Sequence, residues 1–198
     1  MTAQTQPFDE DDPRRASIMA AATECFARYG FKRTSMEDIA KAAGMSRPAL
    51  YQHYRNKQDI FRSLVIWYFE ATMARVAAAL TPGLDPEQAL AAVFAAKMGP
   101  DMKLLFDSPH GEELLDANFS TAADIAGKGE AEIARLIAEW LAAEAEAGRI
   151  RLPDGDAVAS AQILVAALGG LKTPGTSFDE ICARLNRLAT LFGRGLRP

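Results

Sequence analysis

The sequence predicts an all-α protein, and three observations predict it. No stretch alternates apolar and polar residues in the two-residue rhythm of a half-buried strand. Apolar residues return instead at three- and four-residue intervals, as in Ile18, Ala22, Cys25, Phe26 and Tyr29. Helix stop and start signals also fall at helix-length spacing: Gly30, Thr81-Pro82-Gly83, Asp85-Pro86, Gly99-Pro100, Ser108-Pro109, Gly148, Pro153-Asp154-Gly155 and Thr173-Pro174-Gly175-Thr176.

In chain order, residues 1–12 read as a disordered acidic tail ending in Asp9, Glu10, Asp11 and Asp12. Arg14 and Arg15 come next, suited either to a phosphate or minor-groove contact or to a solvated first helical turn. The first helix ends at Gly30. Thr34 then reads as an N-cap, with Glu37 completing a capping box. Ile39, Ala40 and Ala43 give the second helix one apolar face. Gly44 reverses the chain, Ser46 caps a third helix, and Pro48 lies in its first turn, where no intrahelical donor is lost. Small Ala40 lets the two helices approach, with Met45 and Leu50 between them. Two short helices joined so tightly read as a helix-turn-helix, a motif whose second helix enters the DNA major groove.

The wording of this stretch resembles the tetracycline-repressor (TetR) family over roughly residues 14–62. Tyr29-Gly30-Phe31, Thr34-Ser35, Ile39-Ala40, Ala43-Gly44-Met45-Ser46, Leu50-Tyr51-Gln52-His53-Tyr54 and Asn56-Lys57 carry the resemblance. It implies that Tyr51, His53 and Lys57 hold phosphates, that Thr34 or Ser35 adds another, and that Arg47, Pro48 and Gln52 face base edges. It also implies a C-terminal domain that binds a small effector and dimerises through its last two helices.

Charge is distributed accordingly. The net charge is -4, yet residues 14–62 hold ten Lys/Arg against four acids, and residues 63–198 hold twelve against eighteen. A basic domain joined to an acidic one fits a chain that meets phosphate at one end only. This balance argues against a constitutive DNA-packaging protein. Cys25 and Cys182 read as small hydrophobes, with no disulfide framework, metal or cofactor implied. No basic, apolar leader opens the sequence and no apolar run reaches ~18 residues, so a cytoplasmic protein is expected.

Asn56 caps a long fourth helix, apolar on several sides from Ile60 to about Leu80, which reads as the rod between domains 13–62 and 63–198. Helices are then expected from Pro86 to about Lys97, from there to Phe106 after a break at Gly99-Pro100, and from Ser108 to about Ala126. Another is expected over Glu130–Ala147, with Gly127-Lys128-Gly129 breaking or kinking the chain before it. Residues 156–171 and 177–194 form the last two. Trp67, Met73, Phe94, Met98, Met102, Phe106, Phe119 and Trp140 are soft, bulky side chains suited either to a pocket wall for an apolar or aromatic effector or to plain core. Ile163, Leu164, Leu168, Phe178, Ile181, Leu185, Leu188 and Phe192 are the candidate dimer seam, the alternative being the interior of one subunit. An enzymatic alternative rests on His110 with Glu112 and Glu113, a trio equally suited to a solvated helical turn. The sequence therefore predicts a helix-turn-helix domain joined by a long fourth helix to a second helical domain, which the resemblance implies is ligand-binding and dimerising. The expected function is that of a repressor released from a near-palindromic operator by its effector, acting as a homodimer.

Overall fold

A computed structural model describes residues 13–111, 113–114, 120–171, 173 and 175–198, with only the backbone of Pro100 and Asp101. The acidic segment 1–12 lies outside the described residues. Every regular element among those described is helical: α1 (Pro13–Tyr29), α2 (Met36–Ala42), α3 (Arg47–His53), α4 (Lys57–Ala79), α5 (Pro86–Asp107), α6 (Ala123–Glu146), a 3-10 turn (Pro153–Gly155), α7 (Ala157–Gly170) and α8 (Phe178–Gly195). No helix among them is long and apolar enough to cross a membrane. The chain divides into two compact units. One holds the residues up to Phe69 together with Asp107–Ala126; the other holds Glu70–Phe106 and Gly127–Pro198. The division cuts through α4, and residues 107–126 join the N-terminal unit although the sequence places them in the C-terminal domain.

In the first unit Ile18, Ala22, Phe26, Ile39, Ala40, Leu50, Ile60 and Phe61 are all buried. The rings of Phe26, Phe31 and Phe61 pack mutually at centroid distances of 5.0–5.7 Å, which joins the end of α1 to the start of α4. Between α2 and α3, Met45 N–H donates to the Ala40 carbonyl (3.0 Å) and Gly44 N–H to that of Lys41 (3.2 Å). This is a Schellman ending, and Gly44 supplies its left-handed residue at φ +67°. The N-cap of α2 is Ser35, one residue beyond the expected Thr34, and Asp38 rather than Glu37 closes the capping box. Ser46 and Asn56 cap α3 and α4 through the N–H groups of Ala49 (3.3 Å) and Asp59 (2.8 Å).

In the second unit Val76, Leu90, Val93, Phe94, Ile133, Ile137, Leu141, Ala161, Leu164, Leu168, Ile181, Leu185 and Ala189 form the core. The break at Gly99-Pro100 is a kink inside one helix: Gly99 has φ 35° and ψ 169° within α5. Pro100 has no N–H to offer the Ala96 carbonyl, so Arg75 Nε donates to it instead at 3.0 Å. The same guanidinium donates to Thr72 Oγ1 (2.9 Å). α6 departs from expectation by running unbroken through Gly127-Lys128-Gly129. At the other end of this unit, Gly193 of α8 lies against the backbone of Glu87 in α5. Thr190 Oγ1 donates to the Glu87 carboxylate (2.8 Å), Arg197 pairs with Asp85 (2.8 Å), and Arg151 N–H donates to the Leu196 carbonyl (2.7 Å). Acids at the start of α5 thus meet the basic end of α8, the arrangement both helix dipoles favour.

Two glycines test this packing. A Cβ at Gly193 would fall 2.4 Å from Glu87 Cα, whereas one at Gly127 meets nothing within 4 Å. Gly193→Ala should therefore destabilise the protein by about 1–3 kcal/mol through overpacking. Gly127→Ala should stabilise it by up to about 1 kcal/mol through helix propensity. Chemical denaturation of both variants checks this; equal midpoints would refute the close approach of α8 to α5.

Candidate nucleic-acid interface

α2 and α3 present a short, exposed polar surface. Arg47, Pro48, Tyr51 and Gln52 are exposed on α3, and His53 is half-buried. Their exposure arises from the helix period: Leu50 and Tyr54 point inward, leaving residues 47, 48, 51 and 52 on the outer face. The Arg47 guanidinium lies over the Tyr51 ring (5.6 Å to the centroid), with Nη2 3.5 Å from the Tyr51 hydroxyl and Nη1 3.4 Å from Glu37 Oε2.

Two of the expected phosphate ligands are used inside the fold instead. Thr34 is 1% exposed; its hydroxyl donates to the Gly30 carbonyl at 2.7 Å, with that of Cys25 at 3.2 Å. Its side chain is therefore closed off from any nucleic acid. Lys57 Nζ donates to the carbonyls of Phe31 (2.7 Å), Lys32 (2.8 Å) and Thr34 (2.9 Å), and sits 5.0 Å from the Phe31 ring centroid. An ammonium has three N–H donors, and all three are occupied. Lys57 is thus a clamp on the turn between α1 and α2. Ser35 stays exposed, but its hydroxyl is engaged with Asp38 Oδ2 at 2.6 Å. The hydroxyl and N–H of Ser35 hold the Asp38 carboxyl below its ordinary range.

Ser108 and Glu113 brace the region around the same turn. Glu113 Oε1 accepts the N–H of Lys32 (2.6 Å), and Ser108 Oγ donates to the Ala27 carbonyl (2.6 Å) near the end of α1. Arg62 of α4 makes a two-bond fork to Asp124 (2.7 and 2.8 Å) and reaches the Thr121 carbonyl (2.9 Å). That guanidinium pulls the Asp124 carboxyl down to about 2. Glu113 thus accepts a backbone amide with one oxygen and lies 3.7 Å from His110 Nδ1 with the other. Glu112, the third member of the enzymatic alternative, lies outside the described residues.

Residues 18–64 match the model of the family described as bacterial regulatory proteins, tetR family. Over these residues the chain is similar to the tetR family. It is 33% identical over 85 residues to the transcriptional activator FasR of Mycolicibacterium smegmatis, a match covering 43% of this chain and 39% of FasR. The regulator TtgR of Pseudomonas putida is 39% identical over 57 residues, covering 29% of this chain and 27% of TtgR. The matched stretches thus span less than half of these relatives. Both relatives are HTH-type transcriptional regulators. The fold is shared more widely. A transcriptional regulator from Cytophaga hutchinsonii superposes with a TM-score of 0.77 at 17% identity, over 94% of this chain and all of that one. SmeT, the repressor of a Stenotrophomonas maltophilia multidrug efflux pump, superposes with 0.67 at 20% identity over 98% and 92% of the two chains, and has been solved with triclosan.

The fold distributes the remaining candidates unevenly. Phe94, Met98, Met102 and Trp140 are buried in the second unit, where Met73 and Phe106 are half-buried. The Trp140 indole N–H donates to the Thr81 carbonyl (3.2 Å), which ties α6 to the end of α4. Trp67 belongs to the first unit, and Phe119 lies outside the described residues. Among the seam candidates, Leu164, Leu168, Ile181 and Leu185 are at most 4% exposed and belong to the subunit's own core. Phe178 packs edge-on against Phe106 (6.3 Å) and under Lys103 (5.3 Å) of the same chain. Leu188 and Phe192 are half-buried, whereas Ile163 is 58% exposed. The sequence reading missed Val158 and Leu191, 58% and 66% exposed. Val158, Ile163 and Ala166 form an outer face of α7 opposite Ala161, Leu164 and Leu168, with Gln162 as the polar residue among them. The signal was present in α7, which is apolar on nearly every side, but periodicity alone cannot say which side the chain covers.

The clamp role of Lys57 is checked by stability. Lys57→Ala should lower unfolding free energy by about 1–3 kcal/mol, because three carbonyls lose a charged donor. An unchanged thermal midpoint would return Lys57 to the solvent.

Proposed function

We propose that this chain is a cytoplasmic, homodimeric transcriptional repressor that binds a near-palindromic operator and is released by a small apolar or aromatic effector. The observation that carries the reading is the helix-turn-helix within residues 18–64, whose α3 projects Arg47, Pro48, Tyr51 and Gln52 from a buried base of Leu50 and Tyr54. Arg47 at the first position of α3 can offer a bidentate fork to guanine O6 and N7, with Pro48 and Gln52 beside it on base edges. Tyr51, His53 and the exposed Ser35 take backbone phosphates, while Thr34 and Lys57 shape the turn beneath them. A two-fold dimer sets two such helices in successive major grooves, roughly 34 Å or somewhat more apart. The outer face of α7, with Val158 and Ile163, and Leu191 of α8 supply the dimer seam. SmeT, with the same fold, has been solved with triclosan, which supports an aromatic effector here. Phe94, Met98 and Met102 flank the α5 kink and are the side chains best placed to respond to one.

Two measurements test this. Arg47→Ala should cost about 1–3 kcal/mol per half-site on a duplex selected from a random pool, and relax preference at one base pair. An equal loss on scrambled duplex would make Arg47 a phosphate ligand. Ile163→Glu should yield a folded monomer by sedimentation, because an unpaired carboxylate cannot be buried in an apolar seam. Affinity for the selected duplex should fall with it; a folded dimer of full affinity would place the interface elsewhere.

A further inference from the structure

α2 carries two adjacent acids, and the structure uses them differently. Asp38 closes the capping box with Ser35 and so belongs to the fold. Glu37 takes no part in that cap. Its side chain is 71% exposed, and it pairs with Arg47, whose own side chain is 56% exposed. A pair so open to water adds little to stability. Its effect is directional: Glu37 holds one arm of the guanidinium while the Tyr51 ring and hydroxyl hold the other. An Arg side chain that water alone would leave in many rotamers is thereby aimed before any ligand arrives.

From this geometry we infer that Glu37 is a specificity-determining residue of the reading surface, acting through Arg47. The inference rests on the proposed DNA-reading role of Arg47 and goes beyond it. On DNA of any sequence, a phosphate must displace a carboxylate to capture Arg47, and Glu37 repels that phosphate as well. Both effects penalise the sequence-independent contacts that make up non-specific binding. A guanine edge in the major groove offers two acceptors in the geometry of the fork, so it competes with Glu37 where a single phosphate oxygen does not. Glu37 thus costs affinity for all DNA and costs least where Arg47 finds its guanine. This is specificity obtained by penalising the wrong partner.

The test uses the full chain, a duplex selected from a random pool by the wild-type protein, and its base-scrambled counterpart. Binding is read by fluorescence anisotropy. Glu37→Gln keeps the shape and removes the charge. It should raise affinity for the scrambled duplex by about 3–10-fold, raise that for the selected duplex less, and so narrow their ratio. In an Arg47→Ala background the same substitution should leave the ratio unchanged, since there is no guanidinium left to direct. Glu37→Ala, with circular dichroism on the same sample, should repeat the narrowing in a fully helical protein. Equal gains on both duplexes would reduce Glu37 to a general repulsive charge and overturn the inference, as would an unchanged ratio. If Arg47→Ala itself leaves the ratio of the wild-type background intact, the reading of Arg47 fails instead. The two failures are therefore distinguishable.

Discussion

The ammonium of Lys57 inside the turn at residues 31–34 is the interaction on which the first unit depends. The chain must turn sharply between α1 and α2, and in doing so it points the carbonyls of Phe31, Lys32 and Thr34 at one place. Left together and partly shielded, three carbonyl dipoles repel one another and lack donors. One cation with three N–H groups meets all of them, and the Phe31 face below it adds a cation–π contact. The start of α2 is fixed by this turn, and the Ser35–Asp38 cap and the Gly44 reversal then set α3. Glu113 completes the arrangement by accepting the N–H of Lys32 in the same turn. A carboxylate and an ammonium thus bind opposite kinds of backbone group within four residues.

Much of this was legible in the sequence, and the parts that were not share a cause. Helix positions, the Gly44 turn, the Ser46 and Asn56 caps and the inward face of Leu50 arise from local chemistry, so local reading found them. Thr34 and Ser35 are both good caps, and only the burial of the Thr34 hydroxyl assigns the cap to its neighbour. Lys57 reads as a surface cation because its three acceptors lie 23–26 residues away in sequence. α6 passes through Gly127 and Gly129 because Ala126, Ile133 and Ile137 are buried on its inner face, and that packing outweighs about 1 kcal/mol of propensity per glycine. Likewise Leu164, Leu168, Ile181 and Leu185 match a seam in period, yet the chain covers them itself.

α4 supplies residues to both units. In the first, Lys57 clamps the turn between α1 and α2; in the second, Arg75 supplies the donor that Pro100 withholds from α5. At the α5 kink the Ala96 carbonyl is held by a side chain rather than by its own helix backbone. Phe94, Met98 and Met102 lie on both sides of that kink. For the regulator proposed, an effector that favours another geometry at Gly99 would reposition Arg75 and the Ala96 carbonyl it serves, all within the second unit. Linkage then requires the reverse with equal strength: if such an effector weakens DNA binding, bound DNA weakens effector binding by the same factor.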